Sequence, residues 1–199
     1  MSVVQTQSVS KNDVPAEHRV SSNDITMTAV QDPEHPRLGR IYKLTATQVL
    51  ARPVDEIFPF FADAHNLEEL TPDFLKFEVL TPKPIDMKTG AEIRYKLKVR
   101  GFPIRWRTLI SAWEPNVMFR DEQIRGPYRL WRHTHTFEDR DGGTLCRDRV
   151  EYAYLGDFLV HSWLVRKDVE SIFEYRAKVL KETFPPKAPA EPRLAETSH

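Results

Sequence analysis

One cysteine, Cys146, stands in the 199-residue chain, so no disulfide can form within it. That suits a reducing compartment. Charge of one sign is also missing. Twenty-nine basic residues balance 29 acidic ones, for a formal net charge of zero. No long-range field then draws the whole chain to nucleic acid or to an anionic membrane, and neither partner is expected. No stretch approaches the ~18 consecutive apolar residues that a spanning helix needs, so integral membrane association is not expected. The first 20 residues lack a basic start followed by an apolar run, which argues against a secretory signal. The expected location is cytoplasmic. No internal repeat is visible. No GxSxG, Gly-rich phosphate loop, HExxH or basic–aromatic RNA-binding signature is present.

What is there concentrates in the middle. Residues 1–39 are rich in Ser, Asn, Asp, Gln and Pro without helical or strand periodicity, and are expected to be a disordered extension. Residues 185–199 read as a disordered, Pro-rich tail. Between them, residues 40–184 carry one folded domain.

That domain opens with an alternating strand at 41–51. Two short helical pieces follow in VDEIFPFFADAHNLEEL, with Pro59 expected to kink or break the first, because it lacks a donor and clashes with the preceding turn. The period then changes to two. KFEVLTP is a short strand. In residues 91–100, Ile93, Tyr95, Leu97 and Val99 share one face, and Glu92, Arg94, Lys96 and Lys98 the other. Strands are expected at 104–115, 116–126, 129–139 and 144–156, the last two joined at DRDGG. Apolar residues at Val165, Val169, Ile172, Phe173, Val179 and Leu180 place a helix over 161–184, stopped by Pro185 and Pro186. The class is α+β: a seven-stranded, curved antiparallel sheet, two short helices after its first strand, and a long C-terminal helix over one face.

Strand alternation divides the side chains. Faces bearing Arg and Lys turn to water, which sends Tyr95, Trp106, Thr108, Phe119, Asp121, Gln123, Trp131, His133, His135 and Phe137 inward. Thr144, Cys146, Asp148, Val150 and Tyr152 follow them. A turn centred on residues 140–142 sets Phe137 opposite Thr144 and His133 opposite Asp148. A turn around 125–128 sets Asp121 near His133. One inward histidine then lies between two inward carboxylates.

Such a cluster has three readings. It is a satisfied polar layer; or a set of groups that orients an apolar guest; or an acid–base site with His133 carrying the proton and Asp148 or Asp121 orienting it. Candidate catalytic residues are therefore His133, Asp148 and Asp121. Candidate ligand-binding residues are Tyr95, Trp106, Thr108, Phe119, Gln123, Trp131, His135, Phe137, Cys146, Tyr152, Phe173 and Arg176. Cys146 reads as a small buried hydrophobe, and Arg176 as a snorkelling residue at the rim of the helix stripe. No cofactor is expected. His133 and His135 share a face, and Asp121, Asp148 or Cys146 would complete a ligand set, but a lone His-x-His pair is a weak metal signal and no metal is expected.

The stretch from LTPDFLKFEVLTP to RLWRHTHTFED, followed by GGTLCRDRVEYAYLG, resembles the SRPBCC ligand-binding superfamily over about residues 39–184. GPY, WxHxH and the DRV run resemble its polyketide cyclase/dehydrase-like group most. The superfamily also holds the birch-pollen-allergen-like, START lipid-transfer and coenzyme Q-binding groups. The resemblance implies a helix-grip fold, in which the sheet grips the C-terminal helix around a hydrophobic cavity. It implies no fixed catalytic set. Pro59 departs from a smooth helix at the pocket mouth. The functional expectation is binding of a small hydrophobic molecule, such as a lipid, quinone or polyketide. The alternatives are a cyclase- or dehydratase-type enzyme and a protein-interaction module. The sequence leaves the ligand and the oligomeric state open.

Overall fold

The computed structural model describes residues 24–31, 40–140, 142–154 and 165–186. Its strands are β1 Asp24–Gln31, β2 Arg40–Leu50, β3 Glu78–Val79, β4 Glu92–Val99, β5 Phe102–Glu114, β6 Met118–Arg125, β7 Leu130–Arg140 and β8 Gly143–Ala153. The helices are α1 Val54–Ala62 and α2 Arg166–Thr183, with 3₁₀ turns at Ala64–Leu67 and Asp73–Leu75.

All eight strands form one antiparallel sheet in the order β1-β2-β8-β7-β6-β5-β4-β3. From β3 to β8, chain neighbours pair as hairpins. The long return that brings β8 beside β2 is the exception. Register shifts in β5, between Arg107 and Thr108 and between Ile110 and Ala112, mark irregularities that bend a strand and curve a sheet.

Two expectations need correction. The sheet has eight strands, not seven. The extra one, β1, lies inside the extension expected to be disordered, and it pairs with β2 over its whole length. Its alternate residues Ile25 and Met27 pack against the β2–β8 core, a short period-two signal inside an otherwise polar segment. Of that extension, residues 1–23 and 32–39 lie outside the described residues, as do 187–199 of the tail. Second, α1 runs through Pro59 without a break and ends only at Asp63, whose N–H donates to the Pro59 carbonyl. Pro59 itself is exposed, while Ile57, Phe58 and Phe61 are buried beside it. Packing of those three side chains outweighs the one helical hydrogen bond that proline removes. The C-terminal helix expected over 161–184 is described from Arg166, and its expected first turn at 161–164 lies outside the described residues. Its 18 residues reach about 27 Å at the usual helical rise.

The core falls into three clusters. Leu50, Phe58, Phe61, Phe119, Phe137 and Leu180 tie α1 and the end of α2 to the sheet. Tyr42, Leu44, Val150, Tyr152, Val169 and Phe173 join β2 and β8 to the start of α2. Ala64, Val79, Ile93, Tyr95 and Ile110 close the β3–β5 side under the 3₁₀ turns. The helix packs on the β1–β2 side of the sheet, where the Gln48 side chain donates to the Ala177 carbonyl at 2.9 Å. On the opposite side a cavity lies between α2 and β4–β7.

Candidate functional site

The cavity holds about 350 Å³. Alternate residues of β4 (Ile93, Tyr95, Leu97 and Val99) form one wall, as the period-two pattern expects. Trp106, Trp131 and Tyr128 form a second. Their rings meet at 5.3 Å (Trp106–Trp131) and 4.9 Å (Tyr128–Trp131). The Trp106 indole N–H donates to Thr108 Oγ1 at 3.0 Å, which leaves that aromatic wall with its polar handle satisfied. Phe60, Phe61 and Leu67 face it from the α1 side, and Val169, Ile172 and Phe173 from α2.

One wall is polar. Asp121 on β6 is paired with His133 on β7, and His135 lies two residues on, on the same face. Asp148 on β8 is opposite His135. A single oxygen, Asp148 Oδ1, accepts from His133 Nε2 at 2.9 Å and lies 2.7 Å from His135 Nδ1. His135 Nε2 donates to Asp121 Oδ2 at 3.2 Å, and His133 Nδ1 lies 3.7 Å from that oxygen. Arg176 on α2 completes the network, its Nε 3.4 Å from Asp148 Oδ2 and its Nη2 3.5 Å from His135 Nδ1. The His135 ring stacks on Phe119 with centroids 4.1 Å apart, and the guanidinium sits 5.1 Å from the Phe61 ring.

The charges follow from these contacts. Burial, then the neighbouring His135, push the His133 imidazole below its ordinary value, against the pull of the two carboxylates. Burial also opposes charge on His135, but hydrogen bonds to Asp121 and Asp148 outweigh it and raise that group. Burial would raise Asp148; Arg176 and the two histidines instead hold its carboxyl well below the usual carboxylate range. The surroundings thus disfavour the proton on His133 and favour it on His135.

Ten of the fifteen candidate site residues reach the cavity: Tyr95, Trp106, Thr108, Phe119, Asp121, Trp131, His133, His135, Phe173 and Arg176 line it. Five do not. Gln123 turns back, its side chain bonded to the Tyr128 backbone at 2.7 Å, and holds the β6–β7 turn. Phe137 lies in the ring cluster with Phe58 and Phe61, at 5.4 and 5.0 Å. Tyr152 stacks on Tyr42 in the β2–β8 core. Cys146 is core as well, and burial pushes its thiol up to about 12. Asp148 stands behind the histidines, beside a void of about 10 Å³. Arg176 is not a rim residue. It is 5% exposed, held inward by the Asp148 charge.

Sequence reasoning missed the α1 wall and an ion pair at the cavity's edge. Arg100, at the β4–β5 turn, bridges both carboxylate oxygens of Asp168 on α2 at 3.0 and 3.1 Å. The buried apolar positions of α1 were readable as one helix face; the contact between Arg100 and Asp168, 68 residues apart, left no local signal.

A curved sheet that grips a C-terminal helix and encloses a mainly apolar cavity defines a helix-grip protein. The chain belongs to the family described as polyketide cyclase / dehydrase and lipid transport, whose model matches residues 50–176. No curated protein matches it. Solved structures share the fold. Protein Ms6760 from Mycobacterium smegmatis is 22% identical, with TM-score 0.53, over 80% of this chain and 99% of that one. Ginseng major latex-like protein 151 from Panax ginseng is 11% identical, with TM-score 0.56, over 73% and 99%. A START superfamily protein from M. smegmatis is 14% identical, with TM-score 0.55, over 71% and 96%. At these identities the likeness is one of fold. No described helix is long and apolar enough to cross a membrane.

Proposed function

We propose that the chain binds a small, largely apolar molecule of lipid, quinone or polyketide type between its sheet and its C-terminal helix. One observation carries this reading: a cavity of about 350 Å³, apolar and aromatic on most sides, with its polar groups gathered on one wall. That volume falls in the range of small-molecule sites, and the division of labour is the usual one. Apolar burial supplies affinity, while His133, His135 and Arg176 meet an oxygen of the guest and fix its direction.

Native mass spectrometry of freshly purified protein is expected to show a co-purifying guest, and an environment-sensitive apolar dye is expected to bind with one-to-one stoichiometry. Ile172→Trp puts an indole into the cavity from α2. It should weaken dye binding at least tenfold, about 1.4 kcal/mol. Ile124→Trp, at an exposed position on β6, should leave binding unchanged. Equal affinities for the two variants would place the dye elsewhere.

A second reading, cyclase- or dehydratase-type chemistry on a bound carbonyl compound, is favoured by one further distance. His133 lies on the cavity wall with its Nε2 2.9 Å from Asp148, the geometry of an oriented proton carrier. On this reading His133→Ala retains the guest but loses about 10²-fold or more in turnover. A variant that keeps full turnover removes His133 from any such mechanism.

A further inference from the structure

We propose that Asp121, His133 and His135 bind a single divalent transition-metal ion, with open coordination positions facing the cavity. One donor atom from each residue lies within 4.8 Å of the others. Asp121 Oδ2 is 3.2 Å from His135 Nε2 and 3.7 Å from His133 Nδ1. An ion bound at about 2.0–2.2 Å holds neighbouring donors roughly 3.0–3.5 Å apart. The first separation falls inside that range and the second just above it, and all three donors lie within 4.8 Å of one another, so the rings must close in by a few tenths of an ångström to about 1 Å to hold the ion.

The remaining ring nitrogens make the stronger case. A metal-bound histidine donates its other N–H to a carboxylate or carbonyl, which fixes tautomer and ring direction. Here both of those nitrogens, His133 Nε2 and His135 Nδ1, lie against one oxygen of Asp148, at 2.9 and 2.7 Å. That leaves His133 Nδ1 and His135 Nε2, the two that converge on Asp121, to face the ion. Asp148 is anchored in turn by Arg176. Phe119 stacks on one ring and Phe173 stands edge-on to the other, 5.6 Å away. The donors are therefore held before any ion arrives.

Charge agrees. An entering ion displaces the proton that His135 favours, and the two carboxylates, one guanidinium and two then-neutral imidazoles sum to minus one. The Arg176 guanidinium lies against His135 Nδ1, on the ring nitrogen turned away from the ion. Two nitrogens and one carboxylate oxygen suit Zn²⁺, Fe²⁺ or Co²⁺ better than Ca²⁺ or Mg²⁺. Three protein ligands, all lining the cavity, match an ion that keeps positions for water or for a guest oxygen. The sequence offers Asp121, Asp148 or Cys146 as a third ligand beside the His-x-His pair, without a metal being expected; the β6–β7 register selects Asp121, and the β7–β8 register places Asp148 behind the pair.

This inference does not rest on guest binding and is tested without a guest. The full chain, stripped with a chelator, is titrated with Zn²⁺ by calorimetry and with Co²⁺ by visible absorption. One ion per chain is expected, with Co²⁺ bands of a nitrogen-containing site of low coordination number. Asp121→Asn and His135→Gln should each lower affinity at least tenfold. Asp148→Asn should lower it about 10–100-fold without changing the stoichiometry. His65→Ala, outside the cavity wall, should leave binding intact. Circular dichroism establishes that each variant is folded. Asp121→Asn is nearly isosteric and half-buried, so it reads the site even if a histidine variant fails to fold. The proposal is overturned if the folded wild type shows no saturable one-to-one binding, or if Asp121→Asn binds as tightly as wild type.

Discussion

Arg176→Met is expected to destabilise the fold by about 3–5 kcal/mol, the usual consequence of stranding one partner of a buried ion pair. At about 2–4 °C per kcal/mol for a chain of this size, Tm should fall by roughly 10 °C. The reason is Asp148, which is 8% exposed and carries its charge at neutral pH mainly because the guanidinium faces it. The geometry shows that charge, more than hydrogen bonding, is at stake: Arg176 Nε lies 3.4 Å from the carboxylate yet has no aligned hydrogen-bond partner. Met keeps much of the volume and the apolar stem, so a loss beyond ~1.5 kcal/mol is not a packing effect. Asp148→Asn in the same background should recover a large part of the loss, because no unpaired charge then remains buried. Urea unfolding of the two single variants and the double variant measures the coupling, expected in the upper part of the 0.5–3 kcal/mol range for residues sharing a network. A single-variant loss under 0.5 kcal/mol would mean that water reaches Asp148 and that the network is not sealed.

The same cluster shows what a sequence can and cannot disclose. The facing of the strands was legible because one face of each carries Arg and Lys. The β6–β7 register was legible too, and Asp121 is indeed opposite His133. The β7–β8 register was off by two: Phe137 is opposite Cys146, not Thr144. Arg140 pairs with Gly143, and the loop is a two-residue connection with Gly142 at φ +78°, tighter than the turn expected. A slip of two keeps every side chain on its face, so Asp148 still points inward. It does change the partner, from one histidine to an oxygen shared by both. The burial of Arg176 was not legible, because an Arg at the edge of an apolar stripe snorkels unless a countercharge waits inside. That countercharge stands on β8, 28 positions earlier in the chain. The strand β1 was hidden for a related reason. Its sequence, DITMTAVQ, alternates over only three apolar residues inside a polar segment, and the edge of β2 with the core beneath Ile25 and Met27 makes it a strand.

Phe58→Ala should match the loss at Arg176, at about 3–5 kcal/mol, by a different route. Phe58 is one of two rings, with Phe61, through which α1 meets the sheet. It packs on Trp113 at 5.3 Å, Phe137 at 5.4 Å and Phe119 at 6.3 Å. Nine residues are too few for a helix to persist by its own hydrogen bonds, so α1 exists because this face is buried. The truncation leaves a void among rings that cannot close over it. Phe58→Leu fills part of that void and should lose only about 1–2 kcal/mol. The consequence extends to the cavity, because Phe60 and Phe61 on the same helix turn line it. A loosened α1 opens the cavity on that side, so Phe58→Ala should release a bound apolar dye faster even where the protein remains folded. Stopped-flow release in parallel with thermal unfolding separates the two effects. If stability falls but release is unchanged, the cavity wall holds without α1, and the sheet with α2 is enough to enclose a guest.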